Sequence, residues 1–251
     1  MKPISETVES WNGVVDYEQE IISLAHRPAG ATIREIIAGL DLQGKYVADL
    51  GVGPGYFLQD LAGAEKIYAV DWSETMLSCA AARAPENTIF LKQNLNSLDL
   101  PHPIDFALCF NALFQENHTT FLKVFRRIFK SLSSGGTLLL VLPSLEGLLY
   151  AINMFTFSQA GKGRESVAIR QVEGEFKDSI DNVFGYGKGK GGQVAKYWMR
   201  DEVEAVVRAC ANVSKCSSFK ARLAWSDFFP SGAWCEDLKE PWAWGFIITV
   251  S

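Results

Sequence analysis

The chain has 251 residues, a mass of 27.8 kDa and a formal net charge of −5 at pH 7. This length suits one domain, or one domain with a sizeable insertion. The acidic balance disfavours nucleic-acid binding, which relies on Lys and Arg side chains that face phosphates.

Strand-like and helix-like segments alternate between residues 30 and 145. Ile33, Ile36, Ile37 and Leu40 share one helical face, for example. Strands that alternate with crossover helices predict a parallel sheet with helices on both faces. Strands are predicted over residues 45–50, 66–71, 88–93, 104–110 and 137–143. Helices are predicted over residues 31–40 and 56–63, from an N-cap at Ser73, and from Phe121 through Leu132 to a stop at residues 133–136.

The alternation is lost in residues 145–196, which contain several glycines and aromatic residues. Within this region and just beyond it, residues 185–198 (GYGKGKGGQVAKYW) are predicted to form a flexible loop. A helix over residues 200–210 and two strands over 214–225 and 244–251 complete the chain.

The segment VADLGVGPGYF, residues 47–57, joins the first predicted strand to a glycine-rich turn. Gly51, Gly53 and Gly55 permit positive φ angles and let a ligand approach the main chain closely. We expect exposed N–H groups here, with the start of the following helix, to favour an anionic group. Many glycine-rich turns hold no cofactor, so the pattern alone leaves the ligand open.

Two positions near this turn narrow the choice of ligand. The dinucleotide fingerprint requires a glycine where this chain has Tyr56, which disfavours NAD. Asp49 stands two residues before Gly51, where it would repel a pyrophosphate and attract a cationic amino group. The ligand is therefore predicted to be zwitterionic at this end.

Asp71 ends the second predicted strand, at the position that holds a ribose in dinucleotide folds. Its carboxylate could accept hydrogen bonds from both ribose hydroxyls, or it could simply cap the next helix. Trp72 and Met76 follow and could pack against an adenine face. An amino acid, a ribose and an adenine together describe S-adenosylmethionine.

Four segments resemble, in order and spacing, the motifs of class I S-adenosylmethionine-dependent methyltransferases. They are residues 47–57, 68–77, 90–101 and 129–143. The resemblance covers roughly residues 30 to 145, and residues 196–213 are similar to the helix that leads into the last two strands of that family. It implies a doubly wound α/β fold. In that fold a mostly parallel seven-stranded sheet has helices on both faces, its last strand is antiparallel, and here a cap-like insertion is added.

The same resemblance implies a single methyltransferase domain over residues 1–251. Its parts are an N-terminal helical lid at 1–29, a cofactor-binding core at 30–144, a substrate-cap insertion at 145–196, and the C-terminal helix and last two strands at 197–251.

For this family, the resemblance implies that the glycine turn surrounds the methionine part of the cofactor and that Asn94 and Leu95 meet the adenine edge. Many members have an aspartate where this chain has Asn94. An amide can donate and accept, so adenine binding should survive with altered affinity. An N-terminal aromatic residue often closes over the cofactor, and Tyr17 or Trp11 could do so here. The residues expected to bind the cofactor are Tyr17, Asp49, Gly51, Gly53, Gly55, Asp71, Trp72, Met76, Asn94, Leu95 and Phe110.

Methyl transfer from a sulfonium is an in-line displacement that needs mainly positioning and exclusion of water. A general base is required only when the acceptor must lose a proton. His118 could supply one, since its ordinary pKa lies near neutrality, although a histidine at this position is more often an exposed residue at the start of a helix. No metal site is expected.

The acceptor is predicted to be a small molecule. Residues 109–118 lack the Asp/Asn-Pro-Pro-Tyr/Phe signature of methyltransferases that act on adenine or amide nitrogens, and no Pro-Cys dipeptide is present. A protein or RNA acceptor, another adenosylmethionine-using reaction and a non-catalytic cofactor-binding module remain alternatives. The residues expected to contact the substrate are Trp11, Asn111, Phe114, Gln115, Tyr150, Tyr186 and Trp198.

Two further features bear on partners and location. Lys188 and Lys190 could face an anionic substrate, although lysines among glycines are usually solvated. The most apolar stretch contains Pro143, Glu146 and Gly147 and cannot span a bilayer, so no membrane association is expected. Residues 1–14 lack the apolar segment of a signal peptide, and the five scattered cysteines suggest neither a disulfide framework nor zinc, so the chain is predicted to be cytoplasmic.

Overall fold

The computed structural model describes residues 24–115, 117–176, 185–188, 194–229 and 238–251. Trp11, Tyr17, Lys190 and most of the lid predicted for residues 1–29 lie outside these ranges.

Within the described residues the chain forms six α-helices and nine strands. The helices are α1 (Pro28–Ala38), α2 (Glu74–Ala81), α3 (His118–Ser131), α4 (Leu145–Ala160), α5 (Glu165–Phe176) and α6 (Arg200–Cys210). The strands are β1 (Tyr46–Leu50), β2 (Lys66–Asp71), β3 (Thr88–Lys92), β4 (Ile104–Phe110), β5 (Leu132–Leu142), β6 (Tyr186–Lys188), β7 (Val194–Lys196), β8 (Val213–Arg222) and β9 (Trp242–Val250).

Seven of these strands form one sheet in the order β3-β2-β1-β4-β5-β9-β8. The first five run parallel, and β9 pairs antiparallel with both β5 and β8. This confirms the predicted α/β fold with a mostly parallel seven-stranded sheet and an antiparallel last strand.

Apolar helix faces cover both sides of the sheet. On one side, α3 buries Phe121, Phe125 and Ile128, which recur at intervals of three and four residues. On the other side, α1 buries Ile33 and Ile37 in a separate core cluster. No described helix has the length and apolar character needed to cross a membrane.

The helix predicted over residues 56–63 is wrong. Only the 3₁₀ segment Gln59–Leu61 forms there, and N–H groups donate three residues back, as from Leu61 to Leu58. Phe57, Leu58 and Leu61 are all buried, which produced a helical pattern in the sequence without an α-helix. In addition, residues 133–136 lie inside β5 rather than ending α3.

The described part of residues 145–196 is more regular than the sequence indicated. They contain α4 and α5, and Tyr186–Lys188 pairs antiparallel with Val194–Lys196. The predicted flexible loop at 185–198 is therefore the base of a β-hairpin, and the residues between its two strands lie outside the described ranges. Its glycines suggested mobility, but cross-strand pairing, which the local sequence does not reveal, orders the base.

The helices of this insertion have a small core of their own. Phe155 of α4 stacks on Phe229 with ring centroids 4.2 Å apart, and Ala151, Ala168 and Trp225 complete the buried cluster. Residues of the connection between β8 and β9 thus hold the insertion against the domain.

Candidate cofactor site

A pocket opens at the carboxyl edge of the parallel strands. It extends from the end of β4 across β1 and β2 to the end of β3, with a volume of about 910 Å³ that includes its open mouth. Loops at this edge form the ligand sites of doubly wound folds. The predicted residues that line it are Asp49, Gly51, Gly53, Asp71, Trp72, Met76, Asn94, Leu95, Phe110, Asn111, Phe114 and Gln115.

The three glycines of the turn all have positive φ angles, at 78° for Gly51, 50° for Gly53 and 82° for Gly55. L side chains rarely adopt this conformation. A Cβ on Gly51 would also collide with the Cβ of Ala112, just beyond β4. The glycines therefore allow both the shape of the turn and its close contact with the neighbouring loop.

Hydrogen bonds inside the fold engage the N–H groups of this turn. Gly51 and Val52 donate to the Val70 carbonyl at 2.8 and 2.9 Å, and Gly53 donates to Asp71 Oδ2 at 3.0 Å. The segment that follows is a 3₁₀ turn and not the expected α-helix. The prediction that these N–H groups favour an anion is wrong, since they hold the turn to β2 and its end instead.

Asp49 is the most unusual group in the pocket wall. It is 3% exposed, and no described residue donates a hydrogen bond to its carboxylate or forms an ion pair with it. Burial, and then the charge of Asp71, raise the pKa of Asp49 to about 7. A buried carboxylate without a partner is unfavourable, and a cationic ligand group would stabilise its charged form.

Asp71 has a different environment at the end of β2. Its Oδ2 accepts the Gly53 N–H at 3.0 Å, and its Oδ1 accepts the Ser73 N–H at 2.9 Å. Burial raises the pKa of Asp71, while these bonds oppose the increase. Ser73 itself caps α2 by accepting from Met76 N, as predicted. Each Asp71 oxygen retains acceptor capacity, so the carboxylate can hold the glycine turn and still meet a hydroxyl pair.

Amide side chains occupy the end of the pocket beside β3. Asn94 Oδ1 accepts the backbone N–H of Asn96 at 2.9 Å, and Asn96 Nδ2 donates to Gln115 Oε1 at 3.3 Å. This second bond joins the loop after β3 to the loop after β4. Gln115, predicted as a substrate contact, therefore lies beside the residues that the resemblance assigns to adenine.

One wall of the pocket was hardly indicated by the sequence. Tyr56 packs edge-on against His26 at 5.0 Å, and the guanidinium of Arg83 lies 5.1 Å from its ring centroid. Arg34 donates to the carbonyls of Ala25, at 2.8 Å, and Tyr56, at 3.3 Å. Tyr56 and Ala25 both line the pocket. The position of Tyr56 beside the glycine turn suggested that it lies near the ligand, whereas nothing in the sequence suggested this for Ala25.

Three residues predicted near the methyl group or the acceptor lie outside the pocket lining. Trp198 is 1% exposed and packs edge-on against Phe121, with ring centroids 4.9 Å apart. Tyr186 packs beside this core and contacts His118 edge-on at 5.3 Å, while His118 is exposed at the first position of α3. A substrate contact by Trp198 would require the core to open, so this geometry does not support it.

Tyr150 and Gly55 also lie away from the pocket lining. Tyr150 donates from its hydroxyl to the Lys239 carbonyl at 3.0 Å, and its ring lies 5.3 Å from that of Trp242. Gly55 packs behind the turn, where a Cβ would stand 2.9 Å from Ala80 Cα. The described residues contain no group of three His, Cys, Asp or Glu that could bind a metal ion.

Comparison with known proteins matches residues 47–136 to a family described as a methyltransferase domain. No curated protein sequence matches the chain significantly. Solved structures match it throughout, at identities low enough that the similarity concerns the fold. The DhpI–SAH complex is 15% identical, covers 98% of this chain and 96% of its own, and has a TM-score of 0.65.

Two other solved structures show the same similarity. An S-adenosylmethionine-dependent methyltransferase from Mesorhizobium loti is 20% identical over 88% of this chain and 97% of its own, with a TM-score of 0.59. The 1,6-didemethyltoxoflavin-N1-methyltransferase of Burkholderia thailandensis is 17% identical over 98% of this chain and 86% of its own, with a TM-score of 0.59. The domain match, the strand order and the pocket at the carboxyl edge agree: residues 47–136 match a methyltransferase domain, and the chain has the fold of solved S-adenosylmethionine-dependent methyltransferases.

Proposed function

We propose that the chain transfers the methyl group of S-adenosylmethionine to a small-molecule acceptor, with the cofactor in the pocket formed by the ends of β1 to β4. The observation that carries the proposal is Asp49. Its buried carboxylate has no partner among the described residues, and it faces the same pocket as Asp71 and the amides beside β3.

These residues fit the parts of the cofactor in order along the sheet edge. Asp49 would pair with the ammonium of the methionine part. Asp71 would accept from the ribose hydroxyls with the lone pairs that its two backbone bonds leave free. Trp72 and Met76 would then pack against the base, with Asn94 at its edge.

The bound cofactor supplies a methyl group on a positively charged sulfur. The chain's own contribution is to orient the acceptor in line with that methyl group and to keep water away. Asn111, Phe114 and Phe110 at the end of β4 are the residues we assign to this task, since they line the pocket beside Asp49 and the glycine turn. His118 could act as a base only for an acceptor that extends beyond this lining to the start of α3.

The folded insertion supports a small acceptor over a macromolecular one. Helices α4 and α5 and the β6–β7 hairpin add ordered structure after β5, next to the carboxyl edge of the sheet. We propose that residues 145–196 form a substrate cap and that residues 1–29 form a lid, of which Ala25 lines the pocket. One structural neighbour, an N1-methyltransferase, was solved with bound 1,6-didemethyltoxoflavin and S-adenosylhomocysteine.

The proposal is tested by product analysis with S-adenosylmethionine that carries an isotopic label in its methyl group. The protein would be incubated with a panel of small amines, phenols, carboxylic acids and N-heterocycles, and separately with RNA and with a mixed protein extract. Label in one small product supports the proposal. Label in RNA or protein, transfer of the aminopropyl group, or cofactor binding without transfer to any acceptor would each favour one of the alternatives.

A further inference from the structure

One side chain that lies behind the pocket contacts three residues of its lining. Arg34 of α1 donates from Nη1 to the Ala25 carbonyl at 2.8 Å and from Nη2 to the Tyr56 carbonyl at 3.3 Å. Its guanidinium also lies 5.0 Å from the ring centroid of Phe57. These three partners line the pocket, whereas Arg34 itself does not. We call Ala25, Tyr56 and Phe57 the α1-side wall.

The two carbonyls belong to segments that are far apart in the chain. Ala25 precedes α1 and Tyr56 follows the glycine turn after β1, so one guanidinium joins the two segments. The third nitrogen of Arg34, Nε, lies 3.4 Å from Asp60 Oδ2 in the 3₁₀ segment. Arginine presents its donors in a planar fork, whereas lysine has a single ammonium nitrogen at the end of a flexible chain. The three acceptors therefore fit arginine and not lysine.

The Ala25 carbonyl also packs closely against α1. Ala25 is buried, and a Cβ at Gly30 would collide with its carbonyl oxygen. A glycine at this position lets the segment before α1 lie on the first turn of the helix, where the carbonyl accepts the bond from Arg34. Two features of α1 thus set this part of the wall, the missing side chain at Gly30 and the guanidinium of Arg34.

The α1-side wall adjoins the end of the pocket that is remote from β3. Tyr56 and Phe57 directly follow the glycine turn, and the Phe57 ring lies 4.9 Å from that of Phe110 at the end of β4. In the sheet order β3-β2-β1-β4, two strands separate β4 from β3. Under the proposed function, the wall borders the space for the methionine part of the cofactor and for the acceptor, and not the space for the base.

We propose that Arg34 is a positioning residue that holds the α1-side wall against the methionine part of the bound cofactor. The inference rests on the proposed function, since it takes the cofactor to occupy this pocket. Arg34 acts through the backbone carbonyls of Ala25 and Tyr56 and through the ring of Phe57, without contacting the ligand. Without its fork the two segments can separate, and the pocket widens at this end.

The test compares the binding of S-adenosylhomocysteine and 5′-methylthioadenosine by calorimetry in the wild type, Arg34→Lys and Asp60→Asn. The second ligand keeps the adenosine and the sulfur but lacks the amino-acid part. Arg34→Lys keeps a positive charge and an apolar stem but cannot reach both carbonyls at once. Denaturant unfolding of the ligand-free proteins checks that each variant is folded under the conditions of the titration.

Asp60→Asn is the matched control. It removes the charge pair with Arg34, while its amide oxygen can still accept from Nε and both carbonyl bonds remain. A role of Arg34 limited to the ion pair would therefore give the two variants the same affinities.

We expect Arg34→Lys to bind S-adenosylhomocysteine roughly five- to thirtyfold more weakly, the factor expected when two hydrogen bonds that fix the wall are lost. Its affinity for 5′-methylthioadenosine should stay close to that of the wild type, and Asp60→Asn should bind both ligands like the wild type.

Full affinity of Arg34→Lys for S-adenosylhomocysteine would overturn the positioning role. An equal loss for both ligands would also overturn it, since the substitution would then loosen the whole pocket, and so would an equal loss in Asp60→Asn. Absence of S-adenosylhomocysteine binding by the wild type would instead overturn the proposed function, and this inference with it.

Discussion

Two buried charges of this chain lie in contrasting surroundings. Asp49, in the pocket wall, has no partner among the described residues, and its pKa is raised to about 7. Lys196, at the base of the β6–β7 hairpin, is 2% exposed and forms an ion pair of 2.9 Å with Glu202 of α6. The Lys196 ammonium also lies 4.7 Å from the ring centroid of Trp198.

Whether a buried charge has a partner within the fold distinguishes a binding site from a structural contact. A buried charge that the fold itself neutralises holds segments together, as Lys196 holds the hairpin to α6. A buried charge that the fold leaves without a partner is costly unless a ligand supplies one. The comparison predicts opposite consequences for stability and binding when each charge is removed.

The largest expected effect is on ligand binding in Asp49→Asn. Loss of the charge that faces the ligand's ammonium should weaken binding of S-adenosylhomocysteine by about 2 to 5 kcal/mol, as truncation of one partner in a buried charge pair does. Calorimetry would measure the change, and Lys196→Met is the control, with an affinity like that of the wild type. Full affinity in Asp49→Asn would show that the ligand's cation binds elsewhere.

The same substitution should stabilise the free protein at neutral and higher pH. The folded-state pKa of Asp49, about 7, exceeds its ordinary value of 3.8. The carboxyl's contribution to stability is therefore fully present below about pH 4 and is lost as pH rises through 7. Asp49→Asn removes that loss, which a shift of this size places at about 4 kcal/mol.

Denaturant unfolding at several pH values would check this gain. The difference between Asp49→Asn and wild type should be small near pH 4 and should level off above pH 7. A variant that is less stable than the wild type at pH 8 would mean that Asp49 has a structural partner after all.

Lys196→Met should act on stability in the other direction. The substitution keeps an apolar stem of similar length but removes the bond to Glu202, which is partly exposed and can be hydrated afterwards. We expect the free energy of unfolding to fall by about 1 to 3 kcal/mol with no change in S-adenosylhomocysteine affinity. A weaker affinity without a loss of stability would instead place this part of the hairpin in the binding site.

The smallest effect is expected for Asp71→Asn. Asp71 combines the two roles, because its carboxylate lines the ligand pocket and also accepts two backbone hydrogen bonds within the fold. The amide keeps one acceptor and loses the other together with the charge, so S-adenosylhomocysteine binding should weaken by about 1 to 2 kcal/mol. The bond to Gly53 or to Ser73 should also weaken, which lowers stability slightly. Unaltered binding and stability would contradict both assignments of the carboxylate.

The sequence predicted most of the residues that line the pocket, because the signals for them lie at the ends of single strands. Asp49, Asp71 and Asn94 each lie near or just beyond the end of a parallel strand, and parallel strands bring those ends to one edge whatever the rest of the chain does. The residue types there, an acid before a glycine turn and an acid after the next strand, were enough to indicate the ligand.

The remaining features depend on contacts between distant segments. The Val70 carbonyl of β2 accepts hydrogen bonds from the N–H groups of Gly51 and Val52, which follow the neighbouring strand β1. The sequence of the turn alone does not reveal these two bonds. Trp198 was expected to face a substrate, yet its segment forms a bridge with Ser144 and carries the ring into the main core. An aromatic residue beside glycines has the same local signature in both situations, so composition could not distinguish them.

The most direct test of the central claim is the number of protons released when the ligand binds. With the pKa of Asp49 near 7 in the free protein, calorimetry of S-adenosylhomocysteine binding at pH 7, in buffers of different ionisation enthalpy, should show release of about half a proton. The release should disappear in Asp49→Asn and persist in Lys196→Met. Binding that releases no proton from the wild type, or equal release from Asp49→Asn, would contradict the assignment of Asp49 as the carboxylate that pairs with the ammonium group of the ligand.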